Sequence, residues 1–304
     1  MGGQFKAWLQ LVRPFTLIAP FVAVFFGVVI QLSAYGNLSS FFPNIHIIIF
    51  ASLALSAAQA VGQILNQVED VEIDIANNKD YRPIPSGKIS IEKAELAAWV
   101  LAIFAILGSF SINMYYGIFI LLFLFFGTIY NIEPFRLKRR LWMNTASLAI
   151  CRGLMPLPAA WSIFGNPFDA SPWLLGSIMG LWVLAWQNTK DLNDIEGDKK
   201  YGVITPAVYH NFKTLTKIIG ILSFIAFFLL AIYIKYGLLP SNMITLFLLS
   251  FPTIWMLYRM ARNRVTLTSL ENNDLWASFY LVLASFYIIA AATYLAGPYL
   301  TLFS

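Results

Sequence analysis

The sequence has few charged residues, a single cysteine and only two histidines. Asp, Glu, Lys and Arg together make up 12% of the 304 residues, whereas ordinary soluble domains contain about 25%. The lone Cys151 excludes an internal disulfide bond and any paired-cysteine metal or redox motif. His46 and His210 lack the spacing of a histidine metal site. These shortages exclude a soluble domain and a metal or redox site built from cysteine or histidine.

The sequence is rich in long apolar runs. Hydrophobic residues account for 59% of the sequence, and the mean hydropathy is +0.70. Nine runs have the length of about 20 residues that a bilayer crossing requires, so we expect a single polytopic membrane domain over residues 1–304. The predicted spans are Phe15–Ala34, Ile45–Leu65, Ile91–Ile112, Tyr115–Tyr130, Leu141–Phe164, Trp173–Thr189, Thr214–Lys235, Leu239–Tyr258 and Leu275–Ala296.

The distribution of charge predicts the orientation. With the N-terminus inside, 18 of the 20 basic residues and 14 of the 15 acidic residues fall in inner segments. Basic residues accumulate on the cytoplasmic side of membrane proteins. We therefore expect a multi-pass protein of the cell membrane, with a cytoplasmic N-terminus, cytoplasmic acidic loops and an external C-terminus. This asymmetry explains the net charge of +5 without nucleic-acid binding.

Two acidic segments end apolar runs on the same predicted side of the membrane, and in each the polar residues recur at helical spacing on one face. The residues of the first segment are Gln59, Gln63, Asn66, Asp70 and Asp74. The residues of the second segment are Asp191, Asp194 and Asp198. Magnesium favours one or two carboxylates together with substrate phosphates. We interpret the segments as halves of one divalent-metal site, with a solvated acidic helix end as the alternative for each.

Basic residues flank both acidic segments. A site that has acids for a metal and bases for anionic oxygens suits a diphosphate. Membrane topology alone also explains part of this basic charge. The candidate diphosphate-binding residues are Arg82, Lys88, Arg136, Lys138, Lys190 and Lys199.

Two further residues each have two interpretations. Tyr130, at the inner end of the fourth predicted span, either presents a π face to a developing carbocation or belongs to the interfacial aromatic belt. Arg152 lies within the fifth predicted span, where a charge marks either a buried salt bridge or a substrate contact. Pro156 and Pro158 predict that this helix is broken.

At these residues the chain resembles the UbiA family of intramembrane prenyltransferases. The matching motifs are Asn66-x3-Asp70-x3-Asp74, Arg82-Pro-Ile-Pro-Ser-Gly87, Tyr130-Asn-Ile-Glu-Pro134-Phe-Arg136-Leu-Lys138-Arg139 and Lys190-Asp191-x2-Asp194-x2-Gly197-Asp198. They occur in the family's order, and the nine-span layout covers essentially the whole chain. The resemblance implies an all-α membrane fold, with the helices bundled around a central cavity.

The resemblance also implies a reaction, a cofactor and partners. A polyprenyl diphosphate ionises to an allylic carbocation with the help of two Mg²⁺ ions. A lipophilic acceptor, either a quinone-precursor ring or an archaeal-type glycerol lipid, then takes up the prenyl group. The surroundings are membrane lipid, and no obligate protein partner or nucleic acid is implied.

By position, the resemblance assigns roles to the motif residues. The implied metal ligands are Asn66, Asp70, Asp74, Asp191, Asp194 and Asp198. The implied catalytic residues are Asp70, Asp74, Asp194, Asp198 and Tyr130. The residues implied for the diphosphate are Arg82, Lys88, Arg136, Lys138, Lys190 and Lys199.

Two departures from the family pattern leave the acceptor open. Gln67 stands where many members have Asp, and the loop Asn77-Asn78-Lys79-Asp80 lacks the Arg-Thr pair of members that prenylate hydroxybenzoate or haem. Three alternative functions remain: an ion-coupled transporter using the acidic cluster, a CDP-alcohol phosphotransferase and a structural membrane subunit. The acids lie at one face of the membrane, whereas transporter sites lie near its midplane, which argues against a transporter. The Asp-Gly…Asp run that a CDP-alcohol phosphotransferase needs is missing. A structural subunit would not need the acids in the loops.

Overall fold

The computed structural model describes residues 2–262 and 273–300, and this part of the chain is all-helical. The helices are α1 (Gly2–Val12), α2 (Pro14–Ala34), α3 (Ile45–Glu69), α4 (Val71–Ala76), α5 (Ile91–Ile112), α6 (Met114–Asn131), α7 (Met143–Ala149), α8 (Pro156–Trp161), α9 (Ala170–Trp186), α10 (Ile195–Lys200), α11 (Pro206–Tyr209), α12 (Phe212–Lys235), α13 (Ser250–Arg262) and α14 (Asp274–Leu300). A π-helical turn covers Ile150–Leu154, and 3₁₀ turns cover Leu38–Ser40, Leu137–Arg139, Gln187–Asp191 and Ser241–Leu249.

Seven helical segments in the described ranges are long and apolar enough to cross a membrane. They are Pro14–Ala34, Ile45–Glu69, Ile91–Ile112, Met114–Asn131, Phe212–Lys235, Ser241–Arg262 and Asp274–Gly297. The other two predicted spans take a different form, because the fifth is divided into α7, the π turn and α8, and the sixth is the 17-residue α9. The all-helical membrane fold is confirmed, whereas the predicted count of nine spans is not reproduced as nine long helices.

The division between α7 and α8 has a local cause. In an unbroken α-helix the carbonyl of Arg152 would accept from the N–H of residue 156, but Pro156 has no N–H. The Tyr287 hydroxyl donates to this carbonyl instead, at 3.4 Å. The Met155 N–H reaches back five residues to the Ile150 carbonyl at 2.9 Å, which is the π-helical pattern. The break that the two prolines predict is therefore present.

The helices enclose a central cavity. α2 packs against α3, α8 and α14; α3 packs against α5 and α6; α9 packs against the π turn and α12. The cavity is lined from α2, α3, α4, α6, α7, the π turn, α8, α9, α10 and α14, and in the described residues α5, α12 and α13 contribute nothing to it. In the 18-residue apolar stretch of α5, and in that of α12, only 22% of the residues are buried, so these helices present most of their apolar surface to the surroundings, as lipid contact requires.

Glycines bring the π turn against α9 backbone to backbone. A Cβ atom added at Gly153 would lie 2.5 Å from the Gly180 Cα. A Cβ atom added at Gly176 would lie 2.3 Å from the Leu154 carbonyl oxygen. Because no larger side chain fits these contacts without a backbone shift, the position of the π turn is tightly determined.

Candidate active site

The two acidic segments meet above one end of the cavity. α4 follows α3 directly, while α10 follows α9 after a 3₁₀ turn, and the two short helices contact each other. The Asn77 Oδ1 accepts a hydrogen bond from the Gly197 N–H at 3.0 Å. A Cβ atom added at Gly197 would lie 2.2 Å from this same oxygen. The join therefore leaves no room for a larger side chain at residue 197 while Asn77 holds this position, and it brings the halves that the sequence separates by about 120 residues into one site.

Asp70 forms the centre of the first acidic group. Its Oδ1 pairs with the Lys138 Nζ at 2.8 Å and with the Arg136 Nη2 at 3.3 Å, and its Oδ2 accepts from the Asn66 Nδ2 at 2.8 Å. The Asn131 Oδ1 accepts from Asn66 at 3.2 Å and from Lys138 at 3.3 Å. Burial lowers the pKa of the Lys138 amine, and the negative charge of Asp70 opposes that shift. These contacts tie α3, α6 and the loop after α6 together.

Asp74 lies one turn after Asp70 and is buried. The Arg82 Nη1 donates to both of its carboxylate oxygens, at 2.6 and 2.7 Å. Burial raises the pKa of the Asp74 carboxyl, and the Arg82 guanidinium opposes the rise. Arg82 comes from the loop after α4, so the Pro-rich motif folds back onto the acid that precedes it.

The second acidic group contains three aspartates that follow α9, from the 3₁₀ turn to α10. Asp191 pairs with the Lys190 Nζ at 3.1 Å and accepts from the Asn144 Nδ2 at 3.0 Å. Asp194 forms a salt bridge with Lys79, which belongs to the loop of the first group. The acidic halves are thus linked by an ion pair as well as by the hydrogen bond between Asn77 and Gly197.

Asp198 differs from the other carboxylates. Its side chain is buried, yet it forms no hydrogen bond or salt bridge within the described part of the chain. Burial, together with the neighbouring charges of Asp191 and Asp194, raises the pKa of the Asp198 carboxyl to about 8. A cation bound between these acids would relieve that repulsion.

The donor set fits magnesium, although no ion site is preassembled. Among residues 2–262 and 273–297, no three His, Cys, Asp or Glu side chains are grouped as metal ligands. The reason is that Lys79, Arg82, Lys138 and Lys190 hold the carboxylates in ion pairs. The converging groups are all carboxylate and amide oxygens, which are the ligands that Mg²⁺ prefers.

Tyr130 lies between the acidic groups and the deeper cavity. The Lys190 Nζ donates to its hydroxyl at 2.7 Å and lies 5.4 Å from the centre of its ring. The hydroxyl in turn donates to the Asn144 Oδ1 at 3.3 Å. Tyr130 is buried, with its hydroxyl held between Lys190 and Asn144, so it is not an exposed residue of an interfacial belt.

Comparison with known proteins identifies the family of this chain. The model of the UbiA prenyltransferase family matches residues 21–286. The chain belongs to this family. It is therefore a membrane prenyltransferase, and the transporter alternative is set aside.

Individual UbiA relatives match over most of the chain. A digeranylgeranylglyceryl phosphate synthase of Saccharolobus solfataricus is 31% identical over 223 residues, which cover 71% of this chain and 70% of the relative. A homogentisate phytyltransferase of Synechocystis is 23% identical over 90% of both chains. The structure of a UbiA homologue from Archaeoglobus fulgidus bound to GPP and Mg²⁺ has a TM-score of 0.66 and 17% identity, and the match covers 94% of this chain and 99% of that one.

Within this UbiA fold, the predicted site residues separate into two sets. One set lines the cavity: Asn66, Asp70, Asp74, Arg82, Tyr130, Lys138, Lys190, Asp191, Asp194 and Asp198. Arg136 reaches this set through its contact with Asp70. Lys88 and Lys199 are exposed and do not line the cavity, so we leave them out of the proposed diphosphate contacts.

Several residues of the site were missed by sequence reasoning. Lys79, Asn131 and Asn144 each contact a predicted site residue, and all three line the cavity. Asn131 could have been found from the sequence, because it directly follows Tyr130 in one of the matching motifs. Asn144 lies in none of these motifs. Gln67, the departure from the family pattern, donates through its Nε2 to the Leu11 carbonyl at 2.7 Å and so anchors α1 to α3.

Proposed function

We propose that this UbiA-family protein transfers a prenyl group from a prenyl diphosphate to a lipophilic acceptor, with Mg²⁺ between its two acidic helix ends. The observation that carries the proposal is the meeting of α4 and α10 at one end of a cavity that also has an apolar lining. One relative is named a digeranylgeranylglyceryl phosphate synthase and another a homogentisate phytyltransferase, and the A. fulgidus homologue was solved with GPP and Mg²⁺. These names support the substrate class.

Six oxygen-bearing residues would hold the metal: Asn66, Asp70, Asp74, Asp191, Asp194 and Asp198. We propose two ions, one for each acidic segment. When bound, Mg²⁺ supplies charge neutralisation to the departing diphosphate. The Asn66 Nδ2 is already committed to Asp70 and Asn131, which leaves its Oδ1 as the ligand atom.

The cations of the site have a second role in this proposal. Each now pairs with a carboxylate, and each can donate to a diphosphate oxygen once that carboxylate binds metal. These cations are Lys79, Arg82, Arg136, Lys138 and Lys190. The allylic C–O bond then breaks, and the diphosphate leaves with the bonding electrons. The acceptor forms the new bond to the allylic carbon and releases a proton.

The deeper cavity would hold the prenyl chain and exclude water. Its apolar lining includes Ala19, Ala23, Leu55, Phe123, Pro156 and Leu283. Leu55 lies about 22 Å along α3 from Asp70, because each helical residue rises about 1.5 Å. An allylic cation formed in this part of the cavity is protected from hydrolysis.

The direct test is prenyl transfer by the purified protein in lipid nanodiscs. With radiolabelled GPP and a panel of acceptors, we expect a labelled lipid product in the presence of Mg²⁺. Chelation with EDTA should lower the rate by at least about 100-fold, because an unneutralised diphosphate is a poor leaving group, and excess Mg²⁺ should restore it. Equal rates with Mg²⁺ and with EDTA would contradict the proposal.

A second prediction concerns the Tyr130 hydroxyl. Tyr130→Phe should lower kcat about tenfold and change the donor KM less, because it removes the hydrogen bond that positions the charged Lys190. Tyr130→Ala should lower kcat further, since it also removes the ring beside the reacting carbon. Steady-state kinetics with labelled GPP give both constants.

Tyr236→Phe is the matched control for this prediction. Tyr236 also has a lysine near its ring, at 5.8 Å, but it is exposed at the end of α12. This variant should behave as the wild type. A Tyr130→Phe variant with a raised donor KM and an unchanged kcat would show that the hydroxyl serves binding alone.

A further inference from the structure

Arg152 places a guanidinium group inside the cavity, in the membrane-spanning part of the fold. Its Nη1 donates to the Gln187 Oε1 at 3.0 Å and to the Tyr280 hydroxyl at 3.2 Å. Both partners are neutral, and within residues 2–262 and 273–297 no carboxylate pairs with it. This differs from Lys79, Arg82, Lys138 and Lys190, which all have an aspartate partner.

One edge of the Arg152 guanidinium is unoccupied. The Nε–H is buried and has no hydrogen-bond partner in the described chain, and none is found there for Nη2. Nε and Nη2 form the edge that presents two parallel N–H groups to the two oxygens of a carboxylate or phosphate. An uncompensated charge at this depth is costly, and such residues mark substrate contacts more than packing.

The surroundings hold this edge in place. The π turn that contains Arg152 is pressed against α9 through Gly153 and Gly180, and the Tyr287 hydroxyl fixes the Arg152 carbonyl. Gln187, in the 3₁₀ turn after α9, and Tyr280, on α14, fix the Nη1 side. The positive charge is therefore preorganised, which lowers the cost of binding an anion.

The position of Arg152 separates it from the metal end of the site. Asn144, which contacts Asp191, precedes Arg152 by about two helical turns, so the Arg152 backbone lies roughly 12 Å further into the cavity. Gln187 is one short turn before Lys190, which in turn contacts Tyr130. Arg152 thus lies beyond Tyr130 from the acidic groups, apart from the diphosphate end of the proposed site.

We propose that Arg152 binds an anionic oxygen group, a carboxylate or a phosphate monoester, carried by the prenyl acceptor. This inference rests on the proposed function and narrows its substrate class. The acceptor is an amphipathic molecule with one nucleophilic atom and one anionic group. Arg152 holds the anion while the nucleophile faces the prenyl carbon.

Matched acceptor pairs test the inference and distinguish the two anions. One pair is homogentisate and its methyl ester; the other is a prenylglyceryl phosphate and the corresponding prenylglycerol. For the anionic member that the wild type uses, Arg152→Met should raise the acceptor KM about tenfold or more, because it removes charged hydrogen bonds. The donor KM and the kinetics with the neutral member should stay within about twofold. Arg152→Lys should restore part of the loss, since it keeps the charge without the bidentate edge.

Lys235→Met is the control for loss of a cation, because Lys235 is exposed and does not line the cavity. It should leave every constant unchanged. Thermal unfolding confirms that each variant is folded, and Arg152→Gln replaces Arg152→Met if the latter does not fold. Equal losses with the anionic and neutral acceptors, or an equal rise in the donor KM, would show that Arg152 is a tie between α9 and α14 and overturn the inference.

Equilibrium binding separates this inference from the proposed function. Labelled homogentisate and labelled prenylglyceryl phosphate are titrated onto wild type and Arg152→Met without donor. If the wild type fails to transfer any prenyl group, the proposed function fails, while weaker binding of an anion by Arg152→Met still supports the anion site. Equal binding by both proteins, or no binding of either anion by the wild type, overturns it.

Discussion

Replacing Asp70 or Asp194 by Asn should lower turnover by about 10²–10³-fold, because each loses a charged metal ligand that is worth several kcal/mol at the leaving group. The protein should remain folded, since Asn keeps the shape of Asp and can still bond to one neighbour. Asp70 represents the first acidic group and Asp194 the second. Prenyl transfer from labelled GPP in nanodiscs, together with thermal unfolding, measures both effects.

Each acidic helix offers its own control. Glu72 on α4 and Glu196 on α10 are exposed and do not line the cavity. Glu72→Gln and Glu196→Gln remove a negative charge from the same helices without touching the proposed metal ligands, so their turnover should stay within about twofold. Near wild-type turnover in either Asp variant would rule out a metal site that spans both segments.

Gly197→Ala should lower turnover by about 100-fold with little change in the amount of folded protein. The added Cβ would lie 2.2 Å from the Asn77 Oδ1, so the Asn77 side chain must swing away and lose its hydrogen bond to the Gly197 N–H, and α4 and α10 must shift apart where it cannot. A displacement of about 1 Å among groups that act together costs on the order of 100-fold in rate. Asn77→Ala alone removes only the hydrogen bond to the Gly197 N–H, and its loss should be about tenfold.

The double variant makes this prediction specific. The atoms that a Cβ at Gly197 would meet all belong to the Asn77 side chain, so Asn77→Ala makes room for it. Asn77→Ala with Gly197→Ala should therefore turn over about as fast as Asn77→Ala alone, which is a clear failure of additivity. If the two losses multiply instead, Gly197 matters through some contact other than Asn77.

Much of the acidic site could be predicted because helical spacing is local. Asp70 and Asp74 are four residues apart, as are Asp194 and Asp198, so each pair shares a helix face whatever the rest of the chain does. The break before α8 is local in the same sense, because Pro156 lacks an N–H wherever it stands. Apolar run length likewise indicated a helical membrane protein from the sequence alone.

Side-chain direction could not be predicted for residues next to the motifs. Lys199 follows Asp198, but successive helical residues point about 100° apart, and Lys199 faces solvent. Lys88 follows Gly87, whose φ of 70° turns the chain, and its side chain is exposed too. Lys79 lies in a loop that looked like ordinary inner positive charge, yet it pairs with Asp194.

The sequence by itself determined a polytopic helical protein with two acidic helix ends on one side, because hydropathy and helical period are properties of short segments. Only the tertiary structure decided how these ends work as one site. Asn77 meets Gly197, Lys79 meets Asp194, and Asn144 meets Asp191. Such contacts join residues far apart in the chain, so they depend on how the helices are rotated and packed. The same packing left the Arg152 edge without a partner and turned it into a candidate acceptor site.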